Sequence, residues 1–468
     1  MKRIVVVGGG LSGLSTAVLL QKAGYSVTVL EASGHWGGNI QHHPSPLHPV
    51  EMGPNSLLDN RPKTREFLDQ LDLGKDELEA APSASRRYVF WGGRLREARP
   101  SPIALFRILG VWGFLRLLTE PFRKVQLTAD RLSIAEFFDH RIGIRARKRL
   151  VDAFVGGIYG GDTTRLSMVA CFPRLVRAVR EHGSLFRALK ALGGAGRART
   201  LTFREGLRTW INRMVEVLNE ERIFLNTRVV EVRRIEESAT YRVEMVRDGC
   251  ETRLEFDHVV VCTNARQAAL LLSNVISDST AEALASIPYV PMITVGTTLE
   301  ESDSIRAATD AFGFLCPPSG GLSILGSVFP MSIFPSLFKG KGPLATVFLG
   351  GARNPGAVDW SDAQVEETVT RDLRASIGLI PSSFLFIKRW REAIPQLLVG
   401  HEKTVARIRA GIAAVDGVHL NGNYLSGVSM HDCIAGAFET LETIQKAEFA
   451  SGTEGDAPGT LLSPSIER

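Results

Sequence analysis

The chain has 468 residues, 44% of them hydrophobic and 22% charged, and its formal net charge at pH 7 is +5. This length exceeds the usual size of one domain, so two or three domains with large buried cores are expected. The five cysteines include no C-x-x-C pair and no histidine at metal-ligand spacing, which argues against a zinc site and predicts reduced core residues.

The N-terminal segment predicts a β-strand, a glycine-rich turn, a helix and a second strand. Met1 and Lys2 run directly into an apolar run at residues 4–7, which leaves no room for a secretory signal. A helical pattern follows the turn and ends near Gly24, and Ser26–Leu30 is again strand-like. This order predicts a βαβ unit in a cytoplasmic protein.

The turn after the first strand carries the spacing of a dinucleotide-binding motif. Gly8, Gly10 and Gly13 form G-x-G-x-x-G, where missing side chains allow a tight turn, close approach to a pyrophosphate and packing of the helix on the strand. Glu31 closes the second strand, where a carboxylate can accept hydrogen bonds from ribose hydroxyls. These features predict FAD or NAD rather than NADP; the alternative is a structural glycine turn.

Residues 99 to 199 are helical in pattern and rich in arginine. Their longest apolar stretch, 103–118, is interrupted by Arg107 and Arg116 and is shorter than the roughly 20 residues of a spanning helix, so no membrane crossing is predicted. Basic helices of this kind face an acidic lipid, an acidic substrate or simply solvent. Nucleic acid is discounted as a partner because aromatic interleaving and nucleic-acid motifs are absent.

Strand patterns return after residue 222. Five runs predict a small antiparallel sheet that leads back to the nucleotide domain, namely residues 223–226, 229–233, 241–246, 252–256 and 259–262. Apolar runs at 312–316, 322–329 and 344–349 predict a second sheet that faces the substrate. The tail, 451–468, has no periodicity and is predicted to be disordered.

The C-terminal part repeats the order of strand, turn and helix. Residues 418–421 are strand-like, residues 422–423 turn the chain, and residues 427–433 open a helical pattern. The N-terminus of such a helix can stabilise negative charge on a reduced flavin ring; the alternative is an ordinary helix docked on the sheet. Together with Gly37 and Gly38, a further backbone approach to the cofactor, this segment favours FAD over NAD.

These motifs together resemble the flavin amine oxidase superfamily over nearly the whole chain. Within it, five stretches resemble the oxygen-dependent protoporphyrinogen oxidases: residues 51–56 (EMGPNS), 86–89 (RRYV), 154–162 (FVGGIYGGD) with Leu166 and Ser167, 346–351 (TVFLGG) and 423–433. Five such stretches in the same order are hard to obtain by chance.

The resemblance implies an α/β protein with a discontinuous Rossmann-like FAD-binding domain, a mixed α+β substrate domain and a helical membrane-associated insertion. The expected FAD-binding domain comprises residues 1–85, 202–275 and 411–450. The substrate domain comprises 86–98 and 276–410, and the insertion comprises 99–201. Docking of the insertion on a lipid surface would suit a poorly soluble substrate.

The resemblance also assigns site residues. Arg87 would pair with a substrate propionate, Gly157 would keep the backbone close to the substrate, and Leu315, Val328 and Phe348 would sandwich a tetrapyrrole. The residues expected to hold FAD non-covalently are Gly8, Gly10, Leu11, Ser12, Gly13, Glu31, Ala32, Gly37, Gly38, Gly53, Pro54, Asn55, Ser56, Val229, Trp390, Gly422, Asn423, Gly427, Val428 and Ser429. No catalytic side chain and no metal ligand is expected, because FAD supplies the chemistry.

The implied activity is the six-electron oxidation of protoporphyrinogen IX to protoporphyrin IX in haem biosynthesis. Three two-electron steps would deliver electrons through FAD to molecular oxygen and release hydrogen peroxide. Coproporphyrinogen III is the nearer alternative substrate, and a desaturase or amine oxidase activity and a tetrapyrrole carrier without turnover also remain open. The expected location is cytoplasmic and peripheral on the inner face of the cell membrane, with a homodimer left open.

Overall fold

The computed structural model describes residues 1–44, 50–99, 101–123, 132–193, 199–300, 308–338 and 342–450, and the predicted disordered tail, 451–468, lies outside them. The strands are β1 Arg3–Val7, β2 Ser26–Leu30, β3 Leu57–Asp59, β4 Glu77–Glu79, β5 Arg87–Phe90, β6 Leu95–Glu97, β7 Arg199–Leu207, β8 Ile223–Phe224, β9 Thr227–Ile235, β10 Thr240–Arg247, β11 Cys250–Phe256, β12 His258–Val261, β13 Tyr289–Leu299, β14 Gly313–Leu315, β15 Gly326–Val328, β16 Leu344–Gly350, β17 Pro381–Pro395 and β18 Val418–Leu420. The α-helices are Leu11–Lys22, Pro62–Gln70, Pro102–Leu118, Ile134–Arg141, Ile144–Ala146, Asp152–Tyr159, Met168–Cys171, Pro173–His182, Leu185–Gly193, Arg208–Val217, Ala265–Leu271, Asp278–Ala285, Pro330–Ile333, Asp362–Ile377, His401–Ala413 and Met430–Ala450.

β1 lies at the centre of a five-stranded parallel sheet with the order β18-β12-β1-β2-β8. Its core residues and those of β12 are buried on both faces, as expected for parallel strands that helices cover on each side. The helices Leu11–Lys22 and Met430–Ala450 share one hydrophobic core on one face of this sheet. The predicted βαβ unit and its Rossmann-like sheet are confirmed.

Two of the five runs predicted to form an antiparallel sheet belong to the parallel sheet instead. Residues 223–226 contribute β8, and residues 259–262 contribute most of β12. All four residues of β12 are buried, as expected for a strand that helices cover on both sides, whereas an antiparallel sheet commonly has one face in solvent. The other three runs form the antiparallel sheet β11-β10-β9 as predicted.

Cys250, at the start of β11, is exposed, so the expectation of a core residue is wrong for this cysteine.

The predicted second sheet has seven strands in the order β17-β13-β16-β15-β14-β5-β6. Residues directly opposite each other on neighbouring strands point to the same face, so the register assigns each side chain to one side. Val295, Phe314 and Val347 lie on one face and pack in a core with the helix Asp362–Ile377. On the opposite face Leu315, Val328 and Phe348 are only partly buried.

A buried ion pair organises the arginine-rich helical region. Arg141 donates to Glu120 at 3.0 Å, and Glu120 also accepts hydrogen bonds from Ser184 Oγ and the Leu185 N–H. Both charged side chains are at most 2% exposed, so loss of either one would leave an unpaired buried charge.

β7 begins at Arg199, so the last three residues expected in the insertion are strand.

The first helix of this region is apolar and largely exposed. Together with the turn after it, the segment Pro102–Phe122 has 21 residues and is long and apolar enough to cross a membrane by length and composition alone, which corrects the expectation of too short a stretch. The segment is kinked at Gly110, whose φ of 70° and ψ of 177° are not helical. Its exposed large apolar side chains are Ile103, Phe106, Val111, Trp112, Leu115, Leu118 and Phe122.

Glu51 is a buried carboxyl that joins the segment before β3 to the end of β7. The Leu207 N–H donates to its Oε1 at 2.7 Å, whereas Oε2 has no hydrogen-bond partner among the described residues. Glu51 is only 7% exposed, and this burial raises the pKa of its carboxyl to about 8. In the folded state the carboxyl is therefore protonated at neutral pH.

Glu51→Gln tests this assignment, because glutamine keeps the acceptor for Leu207 and cannot ionise. Between pH 4.5 and 8 the Glu51 carboxyl of the wild type is protonated in the folded state and ionised in the unfolded state. The free energy of unfolding should therefore fall as pH rises through this window. Glu51 contributes at most about 1.4 kcal/mol per pH unit to this fall. Denaturant titrations between pH 5 and 8.5 should show a flatter dependence in Glu51→Gln than in the wild type. Glu181→Gln, at an exposed site, is the control, and equal slopes in all three proteins would contradict the assignment.

Candidate active site

The glycine turn between β1 and the helix Leu11–Lys22 is formed by direct contact of backbones. A Cβ on Gly13 would lie 1.8 Å from the carbonyl oxygen of Gly8, and a Cβ on Gly8 would lie 2.9 Å from that of Cys262. Side chains are therefore excluded at both positions. The helix N-cap, Gly10, offers no side-chain hydrogen bond to the first turn, so the N–H groups of this turn are left for a phosphate.

The Glu31 carboxylate, after β2, is oriented by donors from the same region. The Gly9 N–H donates to Oε2 at 2.7 Å, and the N–H and Oγ of Ser33 donate to Oε1 at 2.8 and 2.7 Å. Two carboxylate oxygens offer about four acceptor sites, so capacity remains for ribose hydroxyls. Ala32, next to Glu31, is exposed.

A second pair of glycines lies against the first turn. The Gly37 N–H donates to Gly9 O at 2.8 Å, and Gly37 forms a parallel bridge with Gly10. A Cβ on Gly38 would lie 3.1 Å from the Gly10 Cα. Two stretches of bare backbone thus form one surface, which is what the diphosphate of a dinucleotide requires. The residues present therefore fit FAD.

A buried asparagine joins the C-terminal segment to this surface. Asn421 is 2% exposed, and its side-chain amide donates to Ser12 O at 3.3 Å, to Thr16 Oγ1 at 3.0 Å and to Cys433 O at 3.1 Å. One side chain therefore connects the end of β18, the first helix and the C-terminal helix.

The helix Met430–Ala450 begins with a capping arrangement. Ser429 donates to the Asp432 carboxylate, and the Asp432 N–H donates back to Ser429 Oγ at 3.3 Å. Val428 packs against the core of the arginine-rich helical region. The loop between β18 and this helix contains all five C-terminal residues expected at the cofactor, which are Gly422, Asn423, Gly427, Val428 and Ser429.

Trp390 and the turn 53–56 come together at another edge of the site. Trp390 Nε1 donates to Met52 O at 3.1 Å. A Cβ on Gly53 would lie 1.9 Å from Asn39 O, and the Asn55 amide donates to Gly53 O at 3.2 Å. The turn that holds Gly53, Pro54, Asn55 and Ser56 is therefore fixed close to the second glycine pair.

Val229 lies apart from these groups. It is 6% exposed in the core beneath β9, and its strand is connected to the cofactor surface through the Thr227 N–H, which donates to Glu31 O at 2.9 Å. Val229 therefore lies two residues along β9 from the one that contacts the backbone of Glu31. A contact of its side chain with FAD stays a prediction.

The apolar residues expected to contact the substrate share one face of the seven-stranded sheet. Leu315 on β14 is opposite Gly326 on β15, which is opposite Phe348 on β16. Val328 lies one row further along β15, opposite Gly313. These side chains point away from the core that the helix Asp362–Ile377 covers, and they form a flat apolar surface.

Arg87 adds a cation to this face, because β5 aligns it with Gly313. Its guanidinium lies 4.7 Å from the centroid of the Phe312 ring and has no carboxylate partner among the described residues. The neighbouring Arg86, by contrast, pairs with Asp310. Arg87 is partly exposed to solvent. The protein around its guanidinium displaces water and lowers the pKa of this group. The guanidinium remains charged at neutral pH.

The helix Asp152–Tyr159 covers the same face. A Cβ on Gly157 would lie 2.5 Å from Leu315 Cδ2, and a Cβ on Gly160 would lie 3.0 Å from Met292 Sδ. Gly157 was expected to leave space for the substrate; the first group that a side chain there would meet is Leu315 itself. The helix therefore packs directly on this sheet face, and glycines at these two positions set how closely the helix and the sheet approach.

Sequence reasoning missed two residues of this site, Trp36 and Asn421, and one cation on the sheet face of Phe348, Lys388. The Trp36 ring packs against Gly9, where an added Cβ would lie 2.5 Å from it. Asn421 could have been found as a polar residue at the end of an apolar strand. Lys388 could have been found because it lies two residues before Trp390, and alternate residues of a strand share a face.

Known proteins resemble this chain in sequence and fold. The flavin containing amine oxidoreductase family matches residues 11–440. The chain is 27% identical to the chloroplastic protoporphyrinogen oxidase of Nicotiana tabacum, over 94% of this chain and 85% of the relative. It is 25% identical to the coproporphyrinogen III oxidase of Bacillus subtilis (strain 168), over 92% of this chain and 96% of the relative.

A solved structure from Exiguobacterium sp. 255-15, provisionally assigned as a protoporphyrinogen oxidase, superposes with a TM-score of 0.83 at 22% identity and covers 95% of this chain and 99% of that chain. The fold and the resemblance to the protoporphyrinogen oxidases are confirmed. The protein is an oxidoreductase with FAD as its cofactor, and the chain belongs to the flavin containing amine oxidoreductase family.

Proposed function

We propose that this protein oxidises a porphyrinogen to the corresponding porphyrin with molecular oxygen as the final electron acceptor. Protoporphyrinogen IX and coproporphyrinogen III are the candidate substrates. The observation that carries this proposal is the sheet face that places the apolar side chains of Leu315, Val328 and Phe348 beside Arg87, a cation with no carboxylate partner among the described residues. A large apolar ring with acidic side chains matches that combination.

When bound, FAD accepts electrons from the substrate two at a time and passes them to oxygen, so that six electrons leave the porphyrinogen and three molecules of hydrogen peroxide form. The chain itself positions the substrate. Arg87 binds a propionate with its planar fork, Phe348 and Leu315 hold the ring, and the helix Asp152–Tyr159 excludes water. No side-chain base is required for this role.

Incubation of the FAD-loaded protein with each reduced porphyrinogen tests the proposal. We expect porphyrin fluorescence to rise faster than in the enzyme-free control, with three molecules of oxygen consumed and three of hydrogen peroxide formed for each porphyrin. Flavin reduction by an amine or a carotenoid, without porphyrin formation, would favour an amine oxidase or a desaturase instead. Tight porphyrin binding without oxygen uptake would identify a carrier.

Arg87→Gln should lower kcat/KM for the porphyrinogen about 10- to 100-fold, because one charge-assisted hydrogen bond is lost. FAD content, read from the flavin absorbance, should not change. Arg86→Gln removes the same charge from the adjacent residue, which Asp310 already neutralises, and should retain wild-type kinetics. Equal kinetics in the two variants would remove Arg87 from the site.

The same proposal includes contact with a membrane surface through the apolar segment Pro102–Phe122. Trp112 is 71% exposed and Phe122 is 88% exposed, and burial of side chains of this size in lipid contributes about 1.5–3 kcal/mol each. The segment also carries Arg107 and Arg116, which suit anionic headgroups. A poorly soluble tetrapyrrole would then be taken up near the lipid in which it is dissolved.

Sedimentation with vesicles that contain anionic phospholipid tests this contact. The double variant Trp112→Ser, Phe122→Ser should sediment with at most a tenth of the vesicle affinity of the wild type, by the transfer free energies of the two side chains. Phe449→Ser, at a residue that is 92% exposed on the C-terminal helix, is the matched control. Equal sedimentation of all three proteins would exclude the segment as the docking site.

A further inference from the structure

Lys388 places a second cation on the sheet face that carries the candidate substrate residues. It precedes Trp390 by two residues on β17, so both side chains lie on the same face. Lys388 is opposite Thr294 on β13, and Thr294 is opposite Phe348 on β16. Lys388 therefore lies in the same cross-strand row as Phe348, which is part of the apolar surface on which a tetrapyrrole would rest.

The charge of Lys388 is not neutralised within the part of the chain that the structure describes. Its Nζ lies 4.7 Å from the centroid of the Trp390 ring, and no carboxylate is within ion-pair distance. The two arginines beside Trp390 differ in this respect: Arg389 pairs with Asp362 at 2.7 Å, and Arg391 pairs with Asp359 at 2.9 Å. A half-buried cation with no carboxylate partner among the described residues favours a ligand that supplies the anion.

Lys388 and Arg87 stand at opposite sides of the sheet face. The strand order separates β17 from β5 by five strand-to-strand steps, or about 24 Å of backbone at about 4.8 Å for each step. The Lys388 ammonium lies over the Trp390 ring and the Arg87 guanidinium lies over the Phe312 ring, and both side chains are long and flexible enough to reach over the apolar surface between them. Two cations this far apart cannot bind neighbouring carboxylates on one edge of a ring, but they can bind carboxylates on opposite edges.

We propose that Lys388 binds a substrate carboxylate on the ring edge opposite the one that Arg87 binds, and that it makes coproporphyrinogen III the preferred substrate. This inference rests on the proposed porphyrinogen oxidation. Coproporphyrinogen III carries propionates on all four pyrroles, whereas protoporphyrinogen IX carries them on one edge and vinyl groups on the other. Only the former offers an anion to both cations.

The ratio of kcat/KM for the two porphyrinogens tests this proposal. Wild type should prefer coproporphyrinogen III. Lys388→Gln should lower kcat/KM for coproporphyrinogen III about 10- to 100-fold, mainly through KM, and should change that for protoporphyrinogen IX by less than about threefold. Lys388→Arg should retain the preference. Arg391→Gln, which removes a charge from the other face of the same strand, should leave both values unchanged.

Binding provides a readout that does not depend on turnover. The dissociation constant of coproporphyrin III, measured by fluorescence quenching on the FAD-loaded protein, should rise about 10-fold or more in Lys388→Gln, and that of protoporphyrin IX should not. Equal losses for both tetrapyrroles, or a loss of flavin absorbance, would assign Lys388 to the cofactor or the fold and overturn the proposal. Wild-type preference for protoporphyrinogen IX would overturn it too. Oxidation of neither porphyrinogen would instead refute the proposed function itself.

Discussion

The contact between Gly13 and the carbonyl of Gly8 is the constraint on which the cofactor half of this protein depends. Since no Cβ fits in the 1.8 Å that separates that position from the carbonyl oxygen, the first helix can pack directly on β1 and keep its N-terminus at the sheet edge. The second glycine pair then reaches the same surface by a backbone hydrogen bond from Gly37 to Gly9. A diphosphate can approach only because side chains are missing from both stretches.

The C-terminal segment reaches the same surface by a different interaction. Asn421 donates to acceptors on the first helix and on the C-terminal helix with one amide nitrogen. Hydrogen bonds from a buried amide specify its neighbours more strictly than apolar contact does. Segments that lie about 400 residues apart in the chain therefore form one cofactor site. The helix that follows directs its positive end toward this site.

The substrate half depends on the alternation of side chains along the strands. One face of the seven-stranded sheet packs in the core under the helix Asp362–Ile377. The alternate residues of each strand therefore lie on the other face. That face combines apolar side chains with Arg87 and Lys388, whose charges have no carboxylate partner among the described residues, whereas Arg86, Arg389 and Arg391 are paired. The distribution of ion pairs thus separates three paired arginines from the two cations that we propose bind substrate carboxylates.

The sequence by itself determined the βαβ opening, the antiparallel sheet β9–β11, the strand and helix near the C-terminus and the family, because these rest on local periodicity and on short motifs. It could not assign β8 and β12 to the parallel sheet, since a short apolar run carries no information about its partner strands. The tertiary structure alone decided that Gly157 faces Leu315, that Asn421 bridges two helices and that Lys388 shares a face with Phe348. Each of these depends on strand register and on contacts between residues far apart in the chain, and periodicity within one segment cannot encode them.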